Sequence, residues 1–103
     1  MRLFEQAQQA FDNNAFGKSL AFLNEAILLD PAFYEAYLMK SDIYQEMDSI
    51  TPLIKVLEKA ISLNSEKFAK SYFILGNAYF RSGSYPKAVN AFREYLKRVD
   101  EKA

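Results

Sequence analysis

The side chains that could do chemistry in this sequence are mainly carboxylates and amines, because its 103 residues include no Cys and no His. That composition excludes disulfides, thiolate nucleophiles, histidine general bases and ordinary zinc sites. Asp42 and Glu46 are four residues apart and can share one face of a helix, and Glu5 and Asp12 form a second carboxylate pair. Such pairs can act in acid–base or metal chemistry. Without a histidine they are more typical of a solvated helix surface, so we expect no enzyme, no cofactor and no metal site.

Positive charge is the other chemistry to consider, since nucleic acid and phosphate ligands require it. The chain carries 13 basic and 13 acidic residues, so its formal net charge is zero. Its three glycines form no phosphate-cradling loop. Near the C-terminus, acidic residues are interleaved with basic ones, so no block of positive charge forms. The acidic residues are Glu94, Asp100 and Glu101, and the basic ones are Lys87, Arg93, Lys97, Arg98 and Lys102. We therefore predict no nucleic-acid partner and no small-molecule substrate.

The overall composition is that of a folded, soluble protein, with 50% hydrophobic and 25% charged residues. No apolar run approaches the roughly 20 residues that cross a bilayer. The first six residues include Glu5 and Gln6, so they do not resemble the apolar segment of a signal peptide. We expect no membrane insertion and a cytoplasmic location.

Apolar residues recur at helical spacing along the whole chain, which predicts amphipathic helices. Pro31 follows the second helix, whereas Pro52 and Pro86 fall in the first turns of later helices, where a missing N–H is tolerated. Turn-forming residues lie between the two helices of each successive pair, which predicts helical hairpins. The expected helices are 3–12, 17–29, 34–47, 52–63, one containing 72–79, and 85–99.

The sequence also repeats itself with a period of about 34 residues. Ala26-Ile27-x-Leu29 matches Ala60-Ile61-x-Leu63, and Tyr44 matches Tyr79. The pattern Tyr72-x₂-Leu75-Gly76-x₂-Tyr79, followed by Ala88-x₃-Phe92, resembles the tetratricopeptide repeat (TPR). The resemblance implies an all-α solenoid of three antiparallel helix-turn-helix repeats with six helices. We predict a single array over residues 1–103, with repeats at about 1–33, 34–67 and 68–100.

Five residues depart from the pattern of this family. In the first repeat, Gln6 occupies a position where a core leucine is usual, and Ala10 one where a tyrosine is usual. Lys40 occupies a core leucine position, so its amine must reach solvent or find an acid. Leu53 occupies a small-residue position, where a larger side chain pushes two helices apart. Tyr95 replaces a small residue in the last helix, which suggests that no further repeat packs there in the usual way.

In this family the first helix of each repeat faces the hollow side of the array, which implies a groove that binds a peptide or a helix. The chain would then be a chaperone-like protein–protein interaction scaffold or adaptor that captures a polypeptide. Aromatic anchors stand at both ends of the groove, with polar groups between them. The alternative is that Phe4, Phe11, Phe73 and Phe80 only pack against the neighbouring repeat. The implied groove residues are Phe4, Gln8, Phe11, Asp12, Leu38, Met39, Asp42, Gln45, Glu46, Lys70, Phe73, Ile74, Asn77, Phe80 and Arg81.

One subtype of the family captures the C-terminal carboxylate of heat-shock chaperones with Lys, Asn, Asn, Lys and Arg. The matching positions here are Phe4, Gln8, Met39, Lys70 and Ile74, so only Lys70 fits. A single exposed lysine gains little when it binds a carboxylate in water. We therefore reject this subtype, and the groove acids Asp12, Asp42 and Glu46 favour a ligand with basic or donor groups.

The second function class is structural. The last helix carries Phe92, Tyr95, Leu96 and Val99 over an arc too wide for one partner helix to cover. This face suggests a self-associating protein, namely a homodimer, or a segment of a longer repeat array. A monomeric adaptor with a peptide in its groove remains the first hypothesis.

Overall fold

The computed structural model describes residues 2–63 and 69–102, and for residues 100–102 it describes the helical backbone only. Within these ranges the regular secondary structure is α-helix alone, joined by turns and with no strand, so the all-α prediction is confirmed. The last helix continues to Lys102, a few residues beyond its predicted end near Val99. The helices are α1 (Arg2–Asp12), α2 (Phe16–Leu29), α3 (Tyr34–Glu46), α4 (Ile50–Leu63), α5 (Lys70–Arg81) and α6 (Tyr85–Lys102).

Three equivalent turns join α1 to α2, α3 to α4 and α5 to α6. Each contains one residue with a positive φ: Asn14 at 60°, Asp48 at 54° and Gly83 at 85°. These residue types tolerate the left-handed region better than others do. The residue after each of these donates a backbone hydrogen bond to a carbonyl near the end of the preceding helix, which helps to reverse the chain. In the three turns the N–H of Ala15 donates to the Ala10 carbonyl, that of Ser49 to the Tyr44 carbonyl and that of Ser84 to the Tyr79 carbonyl, with N–O distances of 2.8–2.9 Å.

Helices that follow one another in the chain pack together, so each hairpin stacks on the next. Two clusters of buried apolar side chains result. The first joins α1, α2 and α3 through Ala7, Leu23, Ala36, Met39 and Ile43. The second joins α3 to α6 and includes Tyr34, Tyr37, Leu53, Val56, Leu57, Ala60, Leu75, Ala78, Tyr79, Ala88 and Ala91. Ile27 of α2 packs against both clusters and so links them.

Small residues allow the two helices of a hairpin to approach closely. A Cβ built on Gly76 of α5 would lie 2.6–2.9 Å from three ring carbons of Phe92 on α6. In the first hairpin, Ser19 of α2 is fully buried, and its Oγ donates a hydrogen bond to the carbonyl of Ala7 on α1 at 2.8 Å. The helices α5 and α6 therefore cross closely at Gly76, with the Phe92 ring filling the space that a side chain would need.

The second hairpin contains two of the departures from the repeat pattern, Lys40 and Leu53. Leu53 is accommodated in the second cluster, with 3% of its surface exposed. Lys40 neither reaches an acid nor lies fully in solvent. Its half-buried amine donates to the Asn24 side-chain oxygen of α2 at 2.9 Å. Burial lowers the pKa of Lys40 below its usual value.

The contact between Gly76 and Phe92 predicts that Gly76→Ala destabilises the fold. The added methyl group overlaps the ring, and overpacking of this kind typically costs about 1–3 kcal/mol. The better helix propensity of alanine offsets up to about 1 kcal/mol of that cost. Urea unfolding followed by circular dichroism should show a lower free energy of unfolding for the variant.

Two further variants make this prediction specific. Gly17→Ala is the matched control, because no atom lies within 4 Å of the Cβ it would add, and it should leave stability unchanged or raise it. In a Phe92→Leu background, Gly76→Ala should lose most of its effect, since the ring that the methyl group meets is gone. The same loss of stability in both backgrounds would contradict the explanation.

Candidate functional site

A groove runs between α3 and α5 on one side of the stacked hairpins. Its larger hollow has a volume of about 420 Å³, and a smaller one of about 140 Å³ adjoins it. Lys70 and Ile74 line both hollows, so the two are continuous. The first is also lined by Gln45, Leu53, Phe73, Asn77, Ala78, Phe80 and Arg81, and the second by Leu38, Ser41, Asp42 and Ser71.

Two phenylalanines of α5 supply exposed apolar surface in the larger hollow. Phe73 is 43% exposed and Phe80 is 60% exposed. Each ring is held from behind by α6: Phe73 lies 5.1 Å from Tyr95 and 5.9 Å from Phe92, and Phe80 meets Tyr85 edge-on at 5.4 Å. The rings are therefore positioned before any ligand arrives, which lowers the entropy lost on binding.

Polar groups lie between and beside these rings. Asn77 is exposed and makes no hydrogen bond within the described residues, so both its donor and acceptor are available. Gln45 donates to the Ser41 carbonyl of its own helix at 3.3 Å. Arg81 forms an ion pair with Asp48 in the turn between α3 and α4. Asn77 is thus the amide best placed to bond the main chain of a ligand.

Opposite charges meet in the smaller hollow. Burial raises the pKa of the Asp42 carboxyl, the nearby Lys70 ammonium opposes that shift, and Glu46 adds to it. Lys70 therefore offsets part of the negative charge that the sequence led us to expect in the groove. Asp42 and Glu46 are both exposed, so the predicted preference for a ligand with basic or donor groups rests on both carboxylates, with the charge of Asp42 partly offset by Lys70.

The residues predicted from the first repeat do not line either hollow. The Phe4 ring packs on Phe33 at a centroid distance of 5.1 Å, and the Phe11 ring on Phe16 at 5.7 Å. On the exposed surface of α1, the Gln8 amide donates to the Asp12 carboxylate at 3.0 Å. The structure thus places the two aromatic residues in packing contacts between neighbouring helices.

Met39 needs a correction. It is only 8% exposed and belongs to the first cluster, alongside Ala36 and Ile43 of the same helix. Its side chain therefore faces α1 and α2 instead of the groove. Sequence reasoning also missed the groove-lining serines Ser41 and Ser71, which are small and buried. Both serines lie one helical turn from a predicted groove residue, Ser41 from Leu38 and Ser71 from Ile74, and this spacing could have indicated that they line the groove.

The four residues of the predicted self-association face on α6 differ in their exposure to solvent. Leu96 and Val99 are exposed, at 57% and 39%. Phe92 and Tyr95 are half-buried, and their rings contact Phe73 of α5. Val89, at 47% exposed, was missed, although it lies seven residues before Leu96 and hence on the same side of the helix.

The described part of the chain holds no group of three or more acidic residues arranged to bind a metal ion. None of its helices combines the length and the apolarity required to span a bilayer.

Comparison with known proteins gives a consistent result. Family models described as tetratricopeptide repeat match residues 34–67 and 69–101. The crystal structure of MamA is similar at 25% identity with a TM-score of 0.89, over 97% of this chain and 58% of that chain. The chain thus spans a little more than half of MamA.

Two further structures share the fold. The N-terminal domain of stress-induced protein-1 (STI-1) from C. elegans is 24% identical, with a TM-score of 0.85, over 94% of this chain and 81% of that one. The first TPR of Spaghetti (RPAP3), bound to the HSP90 peptide SRMEEVD, is 17% identical with a TM-score of 0.81, over 93% and 75%. The family models cover well over half of the present sequence, and its hairpins repeat with the same turn geometry. The chain belongs to the tetratricopeptide repeat family.

Proposed function

We propose that this chain is a protein-interaction scaffold that binds a segment of another polypeptide in the groove between α3 and α5. The observation that carries the proposal is the combination of exposed, prepositioned rings at Phe73 and Phe80 with the unbonded amide of Asn77. An apolar surface with a few convergent polar groups is typical of a ligand site.

The groove suits a peptide or helix with a large apolar side chain. That side chain would rest on Phe73, Ile74 and Phe80, where burying an aromatic or aliphatic group contributes most of the binding energy. Asn77 would bond the main chain of the ligand. Glu46 and Asp42 favour a basic residue at the α3 end, whereas Lys70 limits that preference by offsetting Asp42.

The groove differs from one that captures a chaperone C-terminus. The TPR of Spaghetti (RPAP3) is bound to the HSP90 peptide SRMEEVD. In the present chain, Phe4 and Met39 stand at two of the positions where that subtype has polar or charged side chains, and both pack against other helices. Lys70 is the one match, and it already neighbours Asp42. We therefore expect no selectivity for a free C-terminal carboxylate.

The groove proposal predicts the effect of removing its central contacts. Peptides selected from a random display library on the wild-type chain should bind Asn77→Ala and Phe80→Ala about tenfold or more weakly, as expected for buried anchors worth 1–2 kcal/mol each. Calorimetry or fluorescence anisotropy with the selected peptide measures the change. Amidation of the peptide C-terminus should leave its affinity unchanged.

Matched controls lie elsewhere on the surface. Asn13→Ala removes an equally exposed amide at the end of α1, and Leu28→Ala removes an apolar side chain that is 81% exposed. Neither change should alter peptide affinity. Equal affinity of the wild type and the Asn77 and Phe80 variants would exclude this groove as the binding site.

Self-association is the second candidate function, and one observation favours it. Val89, Leu96 and Val99 leave an apolar strip exposed along α6. Two copies that pair through this strip would bury it between antiparallel helices. The groove is lined by α3, α4 and α5, so such a dimer would leave it open.

This second candidate predicts a dimer that a single charge disrupts. Light scattering across protein concentration should show an approach to twice the monomer mass, and Leu96→Glu should restore the monomer because it places a carboxylate in the apolar contact. Lys97→Glu changes the charge of the adjacent exposed residue and serves as the control. A wild-type chain that stays monomeric at all concentrations would rule out the dimer.

A further inference from the structure

A separate hollow lies on another face of α3, against α4. Its volume is about 310 Å³, and it is lined by Tyr37, Lys40 and Tyr44 of α3 and by Pro52, Lys55 and Lys59 of α4. It shares no lining residue with the groove between α3 and α5. Small-molecule sites typically begin at about this volume, roughly 300 Å³.

The charge in this hollow is of one sign. Among the described residues that line it, Lys40, Lys55 and Lys59 are positively charged and none is acidic. Within residues 2–63 and 69–99, none of these three lysines forms an ion pair with a carboxylate. Since the chain as a whole has no net charge, this is a local excess of positive charge. The first turn of α4 lies beside it at Pro52, and the positive end of the helix dipole adds to the same potential.

Lys40 is the unusual member of the three. Its half-buried ammonium has three donors, and the neutral Asn24 oxygen accepts one of them at 2.9 Å. Removing an ammonium from water is unfavourable unless it is paired, and burial accordingly lowers the pKa of Lys40. The equivalent position in the third repeat, Leu75, is a buried apolar residue. A charge at this position weakens the fold unless an anion compensates it.

We propose that this hollow binds a phosphate group, held by Lys40, Lys55 and Lys59. Lysines bind phosphate as point charges, whereas planar recognition of a carboxylate favours the fork of an arginine, and no arginine lines the hollow. The Tyr37 hydroxyl already donates to the Pro31 carbonyl at 2.8 Å, so Tyr37 forms a fixed wall. The Tyr44 hydroxyl makes no hydrogen bond within the described residues and is available to a phosphate oxygen.

The test uses the full chain with pyrophosphate and with inorganic phosphate, against sodium chloride at matched ionic strength. Amide signals of residues around Lys40, Lys55 and Lys59 should shift saturably, and the melting temperature should rise with pyrophosphate. Lys40→Met should weaken pyrophosphate binding by about tenfold or more, as for loss of a hydrogen bond to a charged group. Lys97→Met, on the exposed side of α6, should bind like the wild type.

A second readout separates lost binding from lost folding. Without phosphate, Lys40→Met should melt at the same temperature as the wild type or higher, because a desolvated charge has been replaced by an apolar chain of similar length. Phosphate also stabilises proteins in general by exclusion from their surface. An equal rise in melting temperature for the wild type and Lys40→Met, without saturable shifts near Lys40, would overturn the proposal.

The source of the phosphate is resolved by a pair of peptides. A phosphoserine peptide that competes with pyrophosphate, while its serine counterpart does not, would identify a phosphorylated polypeptide as the source. Competition by free pyrophosphate and inorganic phosphate alone would identify a soluble phosphate compound. Equal binding of the serine and phosphoserine peptides at the hollow would show that phosphate is not recognised, and so would contradict the proposal.

Discussion

Close approach of the two helices in each hairpin is the constraint on which the rest of this structure depends. At Gly76 the absence of a side chain lets the Phe92 ring fill the crossing, and at Ser19 a short hydroxyl bonds the Ala7 carbonyl of the facing helix. The turns serve the same end, since Asn14, Asp48 and Gly83 adopt the left-handed conformation that reverses the chain within three residues. Without that proximity, the apolar stripes could not form continuous clusters from one hairpin to the next.

The groove follows from this packing. Because α5 is fixed on one side by α4 and α6, its Phe73, Asn77 and Phe80 are left at a surface facing α3. The Phe73 ring rests on Phe92 and Tyr95, and the Phe80 ring rests on Tyr85. A rigid apolar surface that the fold itself does not cover is the feature that a polypeptide ligand can use.

Two residues of the second repeat depart from the repeat pattern, and the structure accommodates them in different ways. Leu53 is absorbed into the core, so this substitution changes packing alone. Lys40 is not absorbed: its charge stays half-buried beside a neutral amide and faces a hollow that two other lysines share. Sequences usually violate local rules at functional sites, and the fold compensates elsewhere. The phosphate site that we propose lies in the second repeat for this reason.

The sequence by itself determined the helices, their pairing into hairpins and the family, because each of these depends on local periodicity, turn chemistry and small residues at fixed spacing. The surface was only partly predictable. Sequence spacing places Met39 beside the groove, yet its side chain is buried in the first cluster. The proximity of Lys70 to Asp42, and of Lys55 and Lys59 to Lys40, was not visible in the sequence either. Those features join residues of different helices, and only tertiary packing decides which neighbouring helix a side chain meets.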